Sequence, residues 1–180
     1  MVYYHASPTA DISVLEPRKP IYFSEKPSAV YLCTLRPMAL LYGVQNFEYT
    51  YGYTRDGQIY FEEFWPGALK ALYQGKSASL YICAPEETET TRIPNEYLSR
   101  KPVRILSQER IPDLYQALLE EAEKNTIRIF RHEELSSEVL SRIRKMVARE
   151  IREQRLWERP GAMAEYMRLH YPDSWEDAQK

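Results

Sequence analysis

Val2-Tyr3-Tyr4-His5-Ala6-Ser7-Pro8, Pro20-Ile21-Tyr22-Phe23-Ser24 and Ser28-Ala29-Val30-Tyr31-Leu32-Cys33 are the stretches on which the reading of the fold turns. β-Branched and aromatic residues dominate the first two, and such side chains suit a pleated, half-buried surface. Ser7-Pro8 closes the first run. Pro20 opens the second, at a position where a strand tolerates proline. The third stretch reads two ways. Pro27 can occupy the first turn of a short helix, or Ala29-Val30-Tyr31-Leu32-Cys33 can run as a strand. The N-terminal part therefore builds sheet.

Working outward, the same chemistry recurs. Phe47-Glu48-Tyr49-Thr50-Tyr51-Gly52-Tyr53-Thr54 and Gln58-Ile59-Tyr60-Phe61-Glu62-Glu63-Phe64 flank Arg55-Asp56-Gly57, and an Asp-Gly turn between aromatic runs predicts a hairpin. Pro66-Gly67, then Ala68, Leu69, Ala71, Leu72 and Tyr73 with Gly75 beyond, predict a short helix. Ser79-Leu80-Tyr81-Ile82-Cys83 and Val103-Arg104-Ile105-Leu106 read as strands, with an acidic loop over 85–91 between them. A helix opening at Ile111-Pro112-Asp113 runs to Ala122, and Thr126-Ile127-Arg128-Ile129-Phe130 is the last strand. From Ser136 the pattern turns helical. Leu140, Ile143, Val147 and Ile151 recur every three or four residues, Ser136 or Ser137 caps the start, and Pro160-Gly161 marks the stop. A shorter helix over 162–169 follows, and the chain from Tyr171-Pro172 is expected to fray. The class is α+β with a mostly antiparallel sheet, divided into a 1–131 α+β domain and a 132–180 helical extension.

At 180 residues the chain has room for one ordinary core. Its 24 basic and 26 acidic side chains leave a formal charge of −2. That removes the global electrostatic case for binding nucleic acid or a membrane surface. Fifteen tyrosines against five phenylalanines is the unusual count. A phenol has an apolar body and a polar tip, so it suits strands, clefts and stacking surfaces. Cys33 and Cys83 lack the density of a disulfide scaffold, and the N-terminus has no basic region followed by an apolar run. A cytoplasmic location without a membrane anchor is expected.

Common chemical motifs are missing. His5, His132, His170, Cys33 and Cys83 are scattered singly, without short ligand spacing, so no metal is expected. There is no G-x-S-x-G elbow and no phosphate-cradling glycine loop. The long helix carries Arg142, Arg144, Lys145, Arg149, Arg152, Arg155 and Arg159 against Glu138, Glu150, Glu153 and Glu158. Pairs such as Glu138–Arg142 and Arg149–Glu153 make this a solvated, laced face, and a nucleic-acid partner is not expected.

What remains is the order of residues at the N-terminus, which resembles the ADP-ribosyltransferase superfamily of the poly(ADP-ribose) polymerase type. That family shows His-Gly-Ser on its first strand, Tyr-Phe-(Ala/Ser) on the second, Ser-Ala-x-Tyr on a short helix, and an acidic residue opening a later strand. Here His5-Ala6-Ser7, Tyr22-Phe23-Ser24, Ser28-Ala29-Val30-Tyr31 and Asn95-Glu96-Tyr97 stand in that order, with Ala6 in place of the glycine. A second register makes Tyr31-Leu32-Cys33 the second-strand motif and lets Met38-Ala39-Leu40-Leu41-Tyr42 supply the stacking tyrosine. The first is preferred because Tyr22 follows a strand-opening proline and Tyr31 completes the helix motif.

The resemblance implies a split antiparallel sheet and NAD as co-substrate. It implies that His5 hydrogen-bonds the adenosine ribose, and that Ser7 and the Ala6 main chain hold the nicotinamide carboxamide. Tyr22 would line the nicotinamide pocket, Tyr31 would stack on its ring, and Glu96 would be the catalytic carboxylate. The acceptor of ADP-ribose stays open among protein, nucleic acid, small molecule and water. The alternative is a non-catalytic protein of the same fold that binds a protein partner through the cleft or the basic C-terminal helix.

Overall fold

The computed structural model describes residues 1–19 and 27–180. The strand expected over 20–24, with Tyr22 in it, lies outside the described residues. In chain order the elements are β1 (Tyr3–Ser7), β2 (Val14–Leu15), β3 (Val30–Cys33), α1 (Arg36–Leu41), β4 (Tyr51–Tyr53), β5 (Ile59–Glu62), α2 (Ala68–Tyr73), β6 (Ala78–Ala84), β7 (Glu89–Thr90), β8 (Glu96–Ser99), β9 (Val103–Ile111), α3 (Leu114–Glu123), β10 (Arg128–Phe130), α4 (Ser137–Glu153), α5 (Ala162–His170) and α6 (Pro172–Ala178). The class is α+β. The chain divides into two compact units, Met1–Tyr49 with Tyr53–Ile59 and Leu69–Arg128, and Thr50–Gly52 with Tyr60–Ala68 and Ile129–Lys180. The division is not one cut in the sequence, because both arms of the expected hairpin contribute to the second unit.

The first unit holds a seven-stranded sheet in the order β2-β9-β6-β1-β3-β8-β7, and every registered pair among the described residues is antiparallel. The stretch that read as helix or strand is the strand β3, and it sits between β1 and β8. Register fixes which side chains share a face, since alternate residues point to opposite sides. Leu32 lies opposite Tyr97, and Tyr3 lies opposite Cys83. These residues belong to the apolar cluster of Leu15, Val30, Leu32, Tyr81, Cys83 and Val103, against which Tyr3, Ile12, Tyr97 and Ile105 pack.

Alternation puts Cys33 and Glu96, themselves opposite one another, on the other face. α1 packs on β1, β3 and α3, and its residues 37–41 are all buried. Its first residue reaches out. The Arg36 guanidinium bonds Glu121 of α3 at 2.5 Å and Glu109 of β9 at 2.7 Å. Burial of Glu121 opposes ionisation, but the Thr126 hydroxyl and the charges of Arg36 and Lys124 hold its carboxyl below the usual glutamate range. The helix α3 begins at its own cap, where the Asp113 side chain accepts from the Gln116 N–H. The expected acidic loop contains the short edge strand β7, whose Glu89 pairs with Arg100 at 2.8 Å.

In the second unit a three-stranded sheet runs β10-β5-β4. Glu62 N–H donates to the Thr50 carbonyl at 2.8 Å, as in the expected hairpin. The long helix α4 starts where its cap predicts, with Ser136 Oγ accepting from Val139 N–H. Ile143, Val147 and Ile151 are buried along one stripe. It ends earlier than Pro160-Gly161, because Arg155 takes a left-handed φ of 52° and turns the chain into a 3-10 turn that buries Leu156. The segment expected to fray is the helix α6. Arg144 of α4 clamps it through Asp177 at 2.6 Å and Asp173 at 3.1 Å, and Arg152 bonds the Asp177 carbonyl at 2.8 Å.

Candidate functional site

Glu96 opens β8 directly after Asn95, whose φ of 63° lies in the left-handed region that asparagine tolerates better than most residues. Thr34 holds that turn from the end of β3. Its N–H donates to the Asn95 carbonyl at 3.0 Å, and its hydroxyl donates to Asn95 Oδ1 at 3.1 Å. The turn delivers Glu96 into the sheet interior with only 3% of its surface exposed. Tyr4, Cys33 and Glu96 then form one row across β1, β3 and β8.

The Glu96 carboxylate accepts a hydrogen bond from the Tyr42 hydroxyl, at 3.2 Å to Oε2. Tyr53 is close by, its hydroxyl donating to the Pro94 carbonyl at 2.6 Å. Burial raises the Tyr53 phenol above its ordinary pKa, the Asn95 side chain opposes this, and electrostatic interaction with Cys33 and Glu96 adds to it. The result is a carboxylate beneath a shell of phenols, amide and thiol, with its main chain fixed by a strained turn.

His5 lies one residue beyond Tyr4 on β1, opposite Tyr81 of β6. Its Nδ1 is 2.9 Å from the Tyr31 carbonyl of β3. A carbonyl only accepts, so Nδ1 carries the proton. Burial of the ring lowers the His5 pKa, against a smaller opposing effect of that same bond. The imidazole is therefore neutral near pH 7, and Nε2 is left as an acceptor. That is the form needed to receive a hydroxyl proton.

The other expected residues sit as follows. Ala6 is buried on β1. Ser7 Oγ accepts from the Thr9 N–H at 3.1 Å, in a turn closing the strand. The Tyr31 phenol donates to the Pro27 carbonyl at 3.0 Å. Tyr31 is strand-borne, not helix-borne, so in secondary structure the chain follows the second register: Tyr31-Leu32-Cys33 in β3, then α1, then Tyr42. The first register fails for Tyr31 because Val30–Cys33 finds a ladder partner in β8, and a paired strand outweighs the helix start that Pro27 offers. Adjacent strands thus carry His5, Tyr31 and Glu96. Alternation gives Glu96 the face of Cys33 and Tyr31, while His5 shares the opposite face with Tyr81. The structure therefore brings the strands of His5 and Glu96 together but sends the two side chains to opposite sides of the sheet.

Thr34, Asn95, Cys33 and Tyr53 were not singled out for the site by sequence. For Asn95 a signal was present, since Pro-Asn before a strand is a turn pattern. For the rest the partners are set by pairing across more than forty residues, which no local pattern carries.

The basic face of α4 is largely engaged within its own unit. Besides Arg144 and Arg152, Arg142 bonds Glu62 at 3.2 Å, and Arg149 pairs with Glu153 at 3.6 Å. Nearby, the buried Glu63 carboxylate accepts from Arg131 at 3.2 Å and from the His132 N–H at 3.3 Å. His170 stacks on Trp65 with ring centres 3.9 Å apart. A cavity of about 520 Å³ lies beside His132, Arg144, His170 and Asp173.

No protein-family model matches the chain, and a search of curated proteins finds no match. Among the described residues no helix is long and apolar enough to cross a membrane, and no group of three or more His, Cys, Asp or Glu side chains is placed to hold a metal ion.

Proposed function

We propose that the first unit binds NAD and breaks its nicotinamide–ribose bond, as an ADP-ribosyltransferase-like domain. The observation that carries this reading is the adjacency of β1, β3 and β8. Residues as distant in sequence as His5 and Glu96 lie on strands separated by one neighbour and within one register position of each other, Glu96 facing one side of the sheet and His5 the other. In the reaction the ribose C1′–N bond breaks and its electron pair passes to the nicotinamide nitrogen, which leaves uncharged. An acceptor nucleophile or water then bonds C1′ and gives up a proton. The Glu96 carboxylate stabilises the positive charge that develops on the ribose. His5 Nε2 accepts from a ribose hydroxyl, Ser7 and the Ala6 main chain take the carboxamide, and Tyr31 and Tyr42 supply aromatic walls for the nicotinamide ring.

Titration calorimetry with NAD, together with nicotinamide release, tests the proposal. Saturable binding weakened by His5→Ala is expected, with release cut to a small residual rate in Glu96→Gln while binding persists. No heat and no thermal stabilisation at millimolar NAD would refute it.

A further inference from the structure

We infer that Tyr42 is a positioning residue for Glu96, its hydroxyl fixing the direction in which the carboxylate faces; the inference rests on the NAD reading of the site. The terminal torsion of a glutamate is broad and roughly two-fold, so the backbone alone does not orient the carboxylate. Here both ends of the side chain are held. At its base, Thr34 pins the Asn95 turn through two hydrogen bonds. At its tip, Tyr42 Oη donates to Oε2 at 3.2 Å.

The donor sits on a firm support. Tyr42 closes α1, and its N–H is shared between the carbonyls of Met38 and Ala39, while the following Gly43 N–H takes the Leu40 carbonyl. Its ring meets Tyr49 edge-on, with centres 5.0 Å apart and planes at 77°. Tyr49 is in turn tied down by its hydroxyl, which donates to the Val44 carbonyl at 2.8 Å. Motion of the phenol would disturb a buried helix end and a second aromatic ring. A carboxylate that must meet developing charge on a sugar depends on such orientation, because misplacement by about 1 Å costs on the order of a hundredfold in rate.

The phenylalanine variant isolates this role. Tyr42→Phe keeps the ring, its contact with Tyr49 and any stacking on a planar ligand, and it removes only the hydroxyl. NAD binding by calorimetry and steady-state nicotinamide release are measured for the wild type, Tyr42→Phe, Glu96→Gln and the double variant, with near-ultraviolet circular dichroism confirming the fold. Tyr42→Phe is expected to lower kcat by about tenfold to a hundredfold. KM and the Kd for NAD should stay within about twofold, and the double variant should be no slower than Glu96→Gln alone.

A raised KM with kcat kept would overturn the inference, since the hydroxyl would then belong to binding. Equal fractional losses in both backgrounds would also overturn it, because Tyr42 would act independently of Glu96. An active wild type with an unaffected Tyr42→Phe removes this inference alone. A wild type that neither binds NAD nor releases nicotinamide removes the reading of the site, and this inference with it.

Discussion

Tyr73→Phe tests how the first unit supports the segment that carries Tyr42. Tyr73 ends α2 and is fully buried. Its hydroxyl donates to the Leu41 carbonyl at 3.0 Å and accepts from Asn46 Nδ2 at 3.4 Å. Leu41 is the last residue of α1, so its carbonyl is one of those that a helix end leaves without an intrahelical partner. Asn46 is itself 5% exposed. Removing the hydroxyl strands an acceptor and a donor where water has little access, and each stranded group costs about 1–3 kcal/mol. Relief from burying the phenol oxygen offsets part of this, which leaves a net loss of about 2 kcal/mol. For a chain of this size that lowers the midpoint of thermal unfolding by about 4–8 °C.

The three tryptophans, Trp65, Trp157 and Trp175, all lie in the second unit. Urea unfolding followed by tyrosine circular dichroism should therefore show the loss, while tryptophan fluorescence reports the second unit separately. A change below about 0.5 kcal/mol in the tyrosine-detected transition would refute the reasoning, since the Leu41 carbonyl and the Asn46 amide would then have found other partners.

Two other perturbations follow from the charged and titratable groups. The His5 pKa is lowered in the folded chain, so the unfolded chain takes up the proton first as pH falls. The contribution of His5 to stability is complete above the unfolded value of about 6.5 and is lost progressively below it, until the folded pKa is reached. Between about pH 7 and 5.5 the urea midpoint should fall in the wild type and stay flatter in His5→Gln; parallel curves would refute the assignment. In the second unit, Arg144→Met removes both clamps on α6 and frees Asp177, whose carboxyl is held well below the usual range by hydrogen bonds from Arg144 and Lys180. Amide hydrogen exchange should accelerate over 172–178 while the global midpoint hardly moves, since exposed ion pairs govern local order more than overall stability.

Legibility in the sequence follows the range of the interactions involved. The hairpin was readable because Thr54, Asp56 and Gly57 settle it among themselves: Thr54 N–H and Oγ1 both bond the Gln58 carbonyl, and Gly57 N–H bonds the Thr54 carbonyl. The stripe and cap of α4 were readable for the same reason. Its end was not. Pro160-Gly161 is the strongest local stop, but burial of Leu156 turns the chain earlier, at Arg155. The helix α6 escaped notice because seven residues cannot hold a helix unaided, and its support comes from Arg144 and Arg152, some twenty-five to thirty-three residues back. At the candidate site the sequence singled out His5, Tyr31 and Glu96. That Val30–Cys33 is a strand was undecided locally, because the deciding partner is β8, more than sixty residues on.

The tyrosine excess has a common physical cause in the first unit. Tyr31 donates to the carbonyl of Pro27, Tyr49 to Val44, Tyr53 to Pro94, Tyr73 to Leu41 and Tyr81 to Thr9. In each case an aromatic body packs in or beside the sheet while its tip ties down a main-chain carbonyl at a loop or helix end, a place where the backbone has no ladder partner. Phenylalanine would fill the same volume and leave those carbonyls unpaired, which explains why tyrosine outnumbers it three to one. Tyr42 departs from the pattern. Its hydroxyl goes to the carboxylate of a buried glutamate, a group that needs no tethering to complete a loop. A phenol here meets a charged side chain, in a unit where the other phenols named above anchor main chain. Glu62, Glu63 and Glu121 are each matched to an arginine. A tyrosine hydroxyl gives the carboxylate it meets a donor without a charge, whereas an arginine brings a full positive charge, so the Tyr42 bond orients Glu96 without itself neutralising it.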